Sequence, residues 1–280
     1  MRRVKHLARE AAIQLWLPAL ILIVLTISTA GSTSFYFPPF TDVLEALKEA
    51  FLHGGLLSDL WFSLRNVLFG LAIAIVVGVA VGVVLGEIEW LRLASQPCLD
   101  FIRATPMVSF TPVIILTFGI GATPKVFLIF LGAFWPILLN TISGVHGISP
   151  AIRETARAYR IGPVMKLRRI LIPGALPQIF AGIRVSLAIA IVMMIVSEIY
   201  GSPEGLGDFI LTSGTSFHVD DTWAGTFLIG ILGYVLTLIL IAVEHSTLGW
   251  HAERAPRVHR FSRARRLQGS AAVRIGHAAR

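Results

Sequence analysis

The sequence predicts an all-α polytopic membrane protein of about six transmembrane helices, and three observations carry that expectation. The 280-residue chain is 55% hydrophobic and only 14% charged. Its mean hydropathy of +0.77 leaves too little polar surface to clothe a water-soluble globule. A bilayer core about 30 Å thick takes roughly 20 apolar helical residues per crossing, and such windows recur at about 12–30, 64–86, 104–121, 125–145, 179–200 and 225–245. The third observation is where the cations fall. Arg2, Arg3, Lys5 and Arg9 precede the first window, and Arg92 and Arg103 follow the second. Arg153, Arg157, Arg160, Lys166, Arg168 and Arg169 separate the fourth from the fifth, and a run from Arg254 to Arg280 follows the sixth. Positive charge is retained on the cytoplasmic side, so these segments and both termini are expected there. The opposite loops hold Lys48 and Lys125 among Asp42, Glu45, Glu49, Asp59, Glu204, Asp208, Asp220 and Asp221. No stretch between the windows is long enough for a soluble domain. Residues 1–11 therefore read as a cytoplasmic N-terminus, 12–250 as one membrane domain, and 251–280 as a basic tail expected to be disordered.

The first window has the basic flank and the small residues Ser28, Ala30 and Gly31 of a cleavable signal, but the aromatic "STSFYFPPF" that follows suits an outer interface and favours a retained anchor. Next, Thr41 or Asp42 can cap a helix whose Val43, Leu44, Leu47 and Phe51 recur at helical spacing and which stops at Gly54-Gly55. It is expected to lie along the outer membrane surface. The second window carries Gly70, Ala74, Gly78, Gly82 and Gly86, a stripe of small residues that lets another helix approach closely in lipid. Gly78, Gly82 and Gly86 are the expected packing positions. The third and fourth windows contain Pro106, Pro112 and Pro136 with Ser109, Asn140 and several threonines. Proline frees backbone carbonyls, which is tolerated at membrane depth where protein or a wet cavity satisfies them. The fifth window adds Arg184, Ser186, Ser197 and Glu198. An ionisable group inside a span is a functional-site candidate, although Arg184 and Glu198 also fall near the two interfaces, where long side chains reach water.

Between the fourth and fifth windows the cytosolic stretch "ETARAYRIGPVMKLRRILIPGALP" has a local logic of its own. Ser149 can cap, Pro150 suits the first helical position, and Gly162-Pro163 forces a stop. Ile152, Thr155, Ala156 and Tyr159 share one face of this helix, with Arg153, Arg157 and Arg160 on another. A second short helix is expected over about Val164 to Pro173. So short a cytosolic helix is marginal alone in water, and it rests either on its own membrane surface or in a groove of another protein.

Glu154-Thr155-Ala156 followed by "ILIPGALP" resembles the signature loop of ABC-importer permeases, which reads Glu-Ala-Ala, Gly, then Ile-x-Leu-Pro. The likeness runs from about Phe37 to Trp250. The stretches "SLRNVLFGLAIAIVVGVAVGVVLG", "IRATPMVSFTPVIILTFGIG", "FWPILLNTISGV" and "EIYGSPEGLGDFI" look most like the branch that imports nitrate, taurine and other organosulfonates. The resemblance implies the type I importer permease fold and an inner-membrane location. It also implies that the 149–173 loop carries a coupling helix inserting into a cytosolic ATPase, with Glu154, Thr155, Ala156, Tyr159, Arg160, Gly162, Ile170 and Pro173 at that contact. Two positions depart from the pattern: Arg160 stands where Gly is expected, and Ile172 where Leu is usual. By the same resemblance the third to fifth spans form the pathway, making Ser109, Asn140, Arg184, Ser186, Ser197 and Glu198 candidates for its lining. Implied partners are an ATPase dimer, a second permease copy and an outer solute-binding protein.

No Gly-x-x-x-x-Gly-Lys-Ser/Thr phosphate loop occurs in the chain. It is expected to be no enzyme and to hold no cofactor, ATP and magnesium being bound by the partner. The net charge of +8 is explained by the span flanks rather than by nucleic acid, since no base-stacking aromatics interleave the cations. Cys98 is alone and forms no internal disulfide. Ser213, Ser216 and His218 resemble nucleophile and base but sit in an outer loop without an oxyanion turn, and His218, Asp220 and Asp221 read as a solvated helix start rather than metal ligands. The alternative from another class is a stand-alone secondary transporter or channel, against which stands the lack of an internal repeat.

Overall fold

The computed structural model describes Trp16, residues 20–201 and residues 203–248. The expected N-terminal segment, the start of the first window and the basic tail lie outside the described residues. Every regular element among those described is helical: α1 Leu20–Thr29, α2 Phe40–Leu52, α3 Leu56–Glu87, α4 Glu89–Ala104, a 3₁₀ turn Met107–Phe110, α5 Thr111–Phe118, α6 Ala122–His146, α7 Pro150–Ala158, α8 Pro163–Lys166, a π turn Leu167–Leu171, α9 Ile172–Gly201, α10 Leu206–Thr215 and α11 Val219–Thr247. Among the described residues, four helical stretches are long and apolar enough to cross a bilayer, Leu56–Glu87, Ala122–His146, Pro163–Tyr200 and Val219–Thr247, and a fifth is added if the bent pair Glu89–Ala104 and Met107–Phe118 makes one span.

The centre is built from α3, α6 and α9. A Cβ on Gly70 would stand 2.5 Å from Ile129 Cγ2, on Gly82 2.6 Å from Thr141 Cβ, and on Gly86 2.8 Å from Val145 Cβ, with Gly78 against Ile137 in the same way. Each glycine meets a β-branched residue at a constant offset in sequence, so α3 and α6 run parallel with their backbones in close approach. Glycine at these positions leaves the groove that a branched neighbour fills. Against α9 the order reverses: Gly132 faces Met193, Asn140 faces Gly182 and Gly144 faces Gln178, making that pair antiparallel. The side chains pointing the other way from α3, among them Leu68, Phe69, Ile73 and Val76, are apolar and exposed, as a lipid-facing surface requires.

The elements depart from the sequence reading in five places. The third window is not a straight span, because α4 and the Met107–Phe118 segment meet at 79°. Pro106 lies at the break, where it disfavours helix at the preceding Thr105 and begins a new turn. The second short helix expected over Val164–Pro173 is instead the first part of a continuous helical stretch, Pro163–Tyr200. Pro173 offers no N–H to the turn below it, and the π turn over Leu167–Leu171 widens the helix where that bond is missing. Lys125, expected in a loop, sits in the first turn of α6 and is buried. Neither Thr41 nor Asp42 caps α2, which starts at Phe40 after Pro39, and Ser149 makes no side-chain cap on α7.

Candidate functional site

The expected coupling stretch is an exposed helix with a thin attachment. Of α7, only Ala156 is buried. Glu154, Thr155 and Tyr159 are exposed, Tyr159 by 79%, so the face expected to be apolar is turned in only at Ala156. Tyr159, Val164 and Met165 leave large apolar groups exposed beside Arg157 and Arg160. The end of α7 explains Arg160. The Ile161 N–H donates to Ala156 O at 3.0 Å and the Arg160 N–H to Arg157 O at 2.9 Å, the paired bonds of a Schellman cap, with Arg160 in the left-handed conformation at φ 49°. This is the position where the resembled loop has glycine, and the turn keeps its geometry with arginine in it. Gly162 lies just beyond, exposed and with no tight neighbour, while Ile170 and Pro173 fall in and after the π turn, partly buried.

Behind α7 lies an ion-pair junction that the sequence did not disclose. Arg153 Nη1 donates to Glu87 Oε2 at 2.7 Å, and its Nη2 donates to Val145 O at 2.6 Å. Lys166 Nζ bonds the other carboxylate oxygen of Glu87. The last residue of α3, α7 and α8 thus meet at one carboxylate, whose side chain is 26% exposed, and Arg153 ties the last turn of α6 to the same junction.

A cavity of about 600 Å³ opens between the α4–α5 break, α6 and α9. Its wall is mainly Met107, Val108, Trp135, Leu139, Ile189 and Met193, with Arg103, Thr105 and Asn140 as its polar members. Of the residues expected to line a pathway, Asn140 is in this wall, its Nδ2 donating to Pro136 O at 2.8 Å. Ser109 is exposed near it, in the 3₁₀ turn. Ser186 is buried between helices and donates to Ala133 O at 2.6 Å, and Ser197 bonds back to Met194 O. Arg184 is exposed on α9. Arg103 was not among the expected lining residues. Its place just before the proline-marked break was the available signal.

Glu198 has no exposed surface. The Ser63 hydroxyl donates to its carboxylate at 2.8 Å and accepts the Leu206 N–H at 2.9 Å, while the Gly207 N–H donates to Glu198 Oε2 at 3.0 Å. The Gly205 N–H goes to Asp59 Oδ1 at 2.9 Å. Two carboxylates and a hydroxyl thereby take the free donors at the start of α10, the arrangement a helix N-terminus favours. A Cβ on Gly205 would stand 2.5 Å from the Glu198 carboxyl carbon, and one on Gly207 2.7 Å from Glu198 Cβ, so "EGLG" is glycine-spaced around this side chain. The structure therefore makes Glu198 a clasp between α3, α9 and α10. Burial, with the Asp59 charge beside it, pushes the Asp208 carboxyl up. Lys125 is 2% exposed, donates to Gly121 O at 3.0 Å and lies 4.9 Å from the centroid of the Phe62 ring. Among the described residues no group of three or more His, Cys, Asp or Glu is placed to hold a metal ion.

Comparison with known proteins places these features in a family. A family model described as "Binding-protein-dependent transport system inner membrane component" matches residues 74–245. The chain is 31% identical over 212 residues to the putative aliphatic sulfonates transport permease protein SsuC of Bacillus subtilis (strain 168), covering 76% of each. It is 28% identical to the taurine transport system permease protein TauC of Escherichia coli (strain K12), covering 88% of this chain and 92% of the relative. It is also 30% identical to the bicarbonate transport system permease protein CmpB of Synechococcus elongatus, covering 75% and 79%. Among solved structures, a chain of the MetNI methionine ABC transporter in an inward-facing conformation superposes with a TM-score of 0.60 at 19% identity, covering 69% of this chain and 95% of that one. That likeness is one of fold.

Proposed function

Because the chain belongs to the family of binding-protein-dependent transport system inner membrane components, and is thus a permease subunit of an ABC importer, we propose that two copies of it form the membrane pathway for a small oxyanion. The observation that carries this reading is the family match across residues 74–245, which takes in the exposed α7. In this reading α7 inserts into a cytosolic ATPase through Glu154, Thr155, Ala156, Tyr159 and Arg160. The ATPase binds ATP and magnesium, and this chain holds neither. An outer solute-binding protein delivers the substrate, and both termini are cytoplasmic. ATP-driven closure of the ATPases biases the spans between two states, so that the cavity beside α6 and α9 faces alternate sides of the membrane.

Relatives named for sulfonates, taurine and bicarbonate support this substrate class, and nitrate is chemically close to them. Taurine carries a sulfonate group, and each of the others is an oxyanion. Arg103 and Asn140 supply a cation and an amide to the wall of a mainly apolar cavity, the donor types an oxyanion accepts from, while the Thr105 hydroxyl there donates to Phe101 O at 3.2 Å. Ser109 follows Val108 of the cavity wall in sequence and is exposed.

Purification of the tagged protein from its host membranes, wild type beside Glu154→Ala, tests the coupling. An ATPase is expected with the wild type and is expected to be lost from the variant. A correctly folded wild-type protein that brings no ATPase would overturn the importer reading. Uptake of labelled taurine, methanesulfonate, nitrate and bicarbonate by cells with and without the protein then identifies the substrate.

A further inference from the structure

The structure assigns to Glu87 a role in transmission: it is the positioning residue that makes α7 move together with α3 and α6. This role presupposes that α7 docks an ATPase, as proposed above. A nine-residue helix joined to α6 only through Gly147–Ser149, and buried only at Ala156, is free to pivot on its link unless another point is fixed. Arg153 and Glu87 fix it. Arg153 spends one guanidinium nitrogen on Glu87 and the other on Val145 O near the end of α6. Lys166 takes the second oxygen of the same carboxylate and ties in α8, the start of the helical stretch that continues as α9. All three side chains are largely shielded, being 19% to 26% exposed, so the junction is less weakened by water and salt than a surface pair.

The neighbouring cations have a different disposition. Arg157, Arg160, Arg168 and Arg169 are exposed, on the side available to a partner, while Arg153 and Lys166 turn inward. One loop therefore presents cations to two clients, the docked subunit and Glu87. With Glu87 neutralised, α7 keeps its docking face and loses the anchor that passes its displacement to α3.

The test uses the permease with its co-purified ATPase in nanodiscs. The background is Cys98→Ser with Val108→Cys, which places the single thiol in the cavity wall, and the readout is the change in maleimide labelling rate on adding Mg-ATP and vanadate. Glu87→Gln is expected to recover as much ATPase as its parent while the nucleotide-induced change falls about tenfold, the scale of one charge-assisted bond lost. Adding Lys166→Gln to Glu87→Gln is expected to lower it no further. A parent-sized response in Glu87→Gln, or loss of the ATPase from it, would overturn the role, the second result making Glu87 a docking residue. If Glu87→Gln does not fold, Arg153→Gln alone decides, since it breaks the bond from α7 to Glu87: a smaller response with ATPase retained supports the role, and an unchanged one removes it. A parent that recovers no ATPase sinks the importer reading itself and this role with it.

Discussion

Arg160 and Phe217 hold φ values of 49° and 60°, and both occupy the same place in a helix ending. At Phe217 the His218 N–H reaches Ser213 O at 2.9 Å and the Phe217 N–H reaches Gly214 O at 3.2 Å, repeating the cap that closes α7. A side chain in the left-handed region costs about 1 kcal/mol that glycine avoids. Arg160→Gly is therefore expected to stabilise the end of α7 by up to about 1 kcal/mol. Slower hydrogen exchange of the Ala156–Ile161 amides would register it, and Arg160→Val is expected to have the opposite effect. At Glu198 the carboxylate accepts from two donors and donates to none. Glu198→Gln turns an NH₂ group toward one of them, and a loss of about 1–3 kcal/mol in unfolding stability is expected. Unchanged thermal unfolding in detergent would refute the clasp. The sequence marked Glu198 as unusual because it is charged within a span, but it could not give the partner: Ser63 is 135 residues away, beyond any local pattern. Glu87 shows the same gap, with Arg153 and Lys166 separated from it by 66 and 79 residues.

At the scale of elements, helix packing is where local pattern and tertiary structure agree most closely. The small-residue stripe of α3 was legible because it repeats every fourth position, and a bilayer rewards close approach of helices rather than exclusion of water. The partner helix was not legible, since the stripe says only that something comes near. Gly82→Ala places a methyl 2.6 Å from Thr141 Cβ. The branch point cannot rotate away, so a cost of about 1–3 kcal/mol is expected. A Cβ on Gly230 would meet nothing within 4 Å, and Gly230→Ala is expected to leave the melting temperature unchanged or slightly raised. Equal melting temperatures for the two variants would contradict the close α3–α6 contact. The breaks were half legible. Pro106 and Pro173 were visible as interruptions, but whether a proline bends a helix by 79° or is absorbed by a widened turn depends on neighbours that free carbonyls can use.

For the molecule as a whole, hydropathy gave the fold class because a lipid solvent leaves few alternatives to a bundle of helices. It overstated the regularity of the third span, since apolar length does not distinguish a straight crossing from a bent pair. Native mass spectrometry of the purified assembly is expected to show two copies of this chain with two ATPase subunits, and one copy, or a second permease sequence, would contradict the proposed pair. The constant register of α3 on α6 also limits how such an assembly moves. Its glycines and branched residues mesh like teeth at intervals of four or eight residues, about 6 or 12 Å along the axis. Small creeping displacements would drive each methyl into backbone, so the pair has no gradual slip. The two helices travel as one toothed bar, and the give needed for transport falls on the contacts they make with the rest of the bundle.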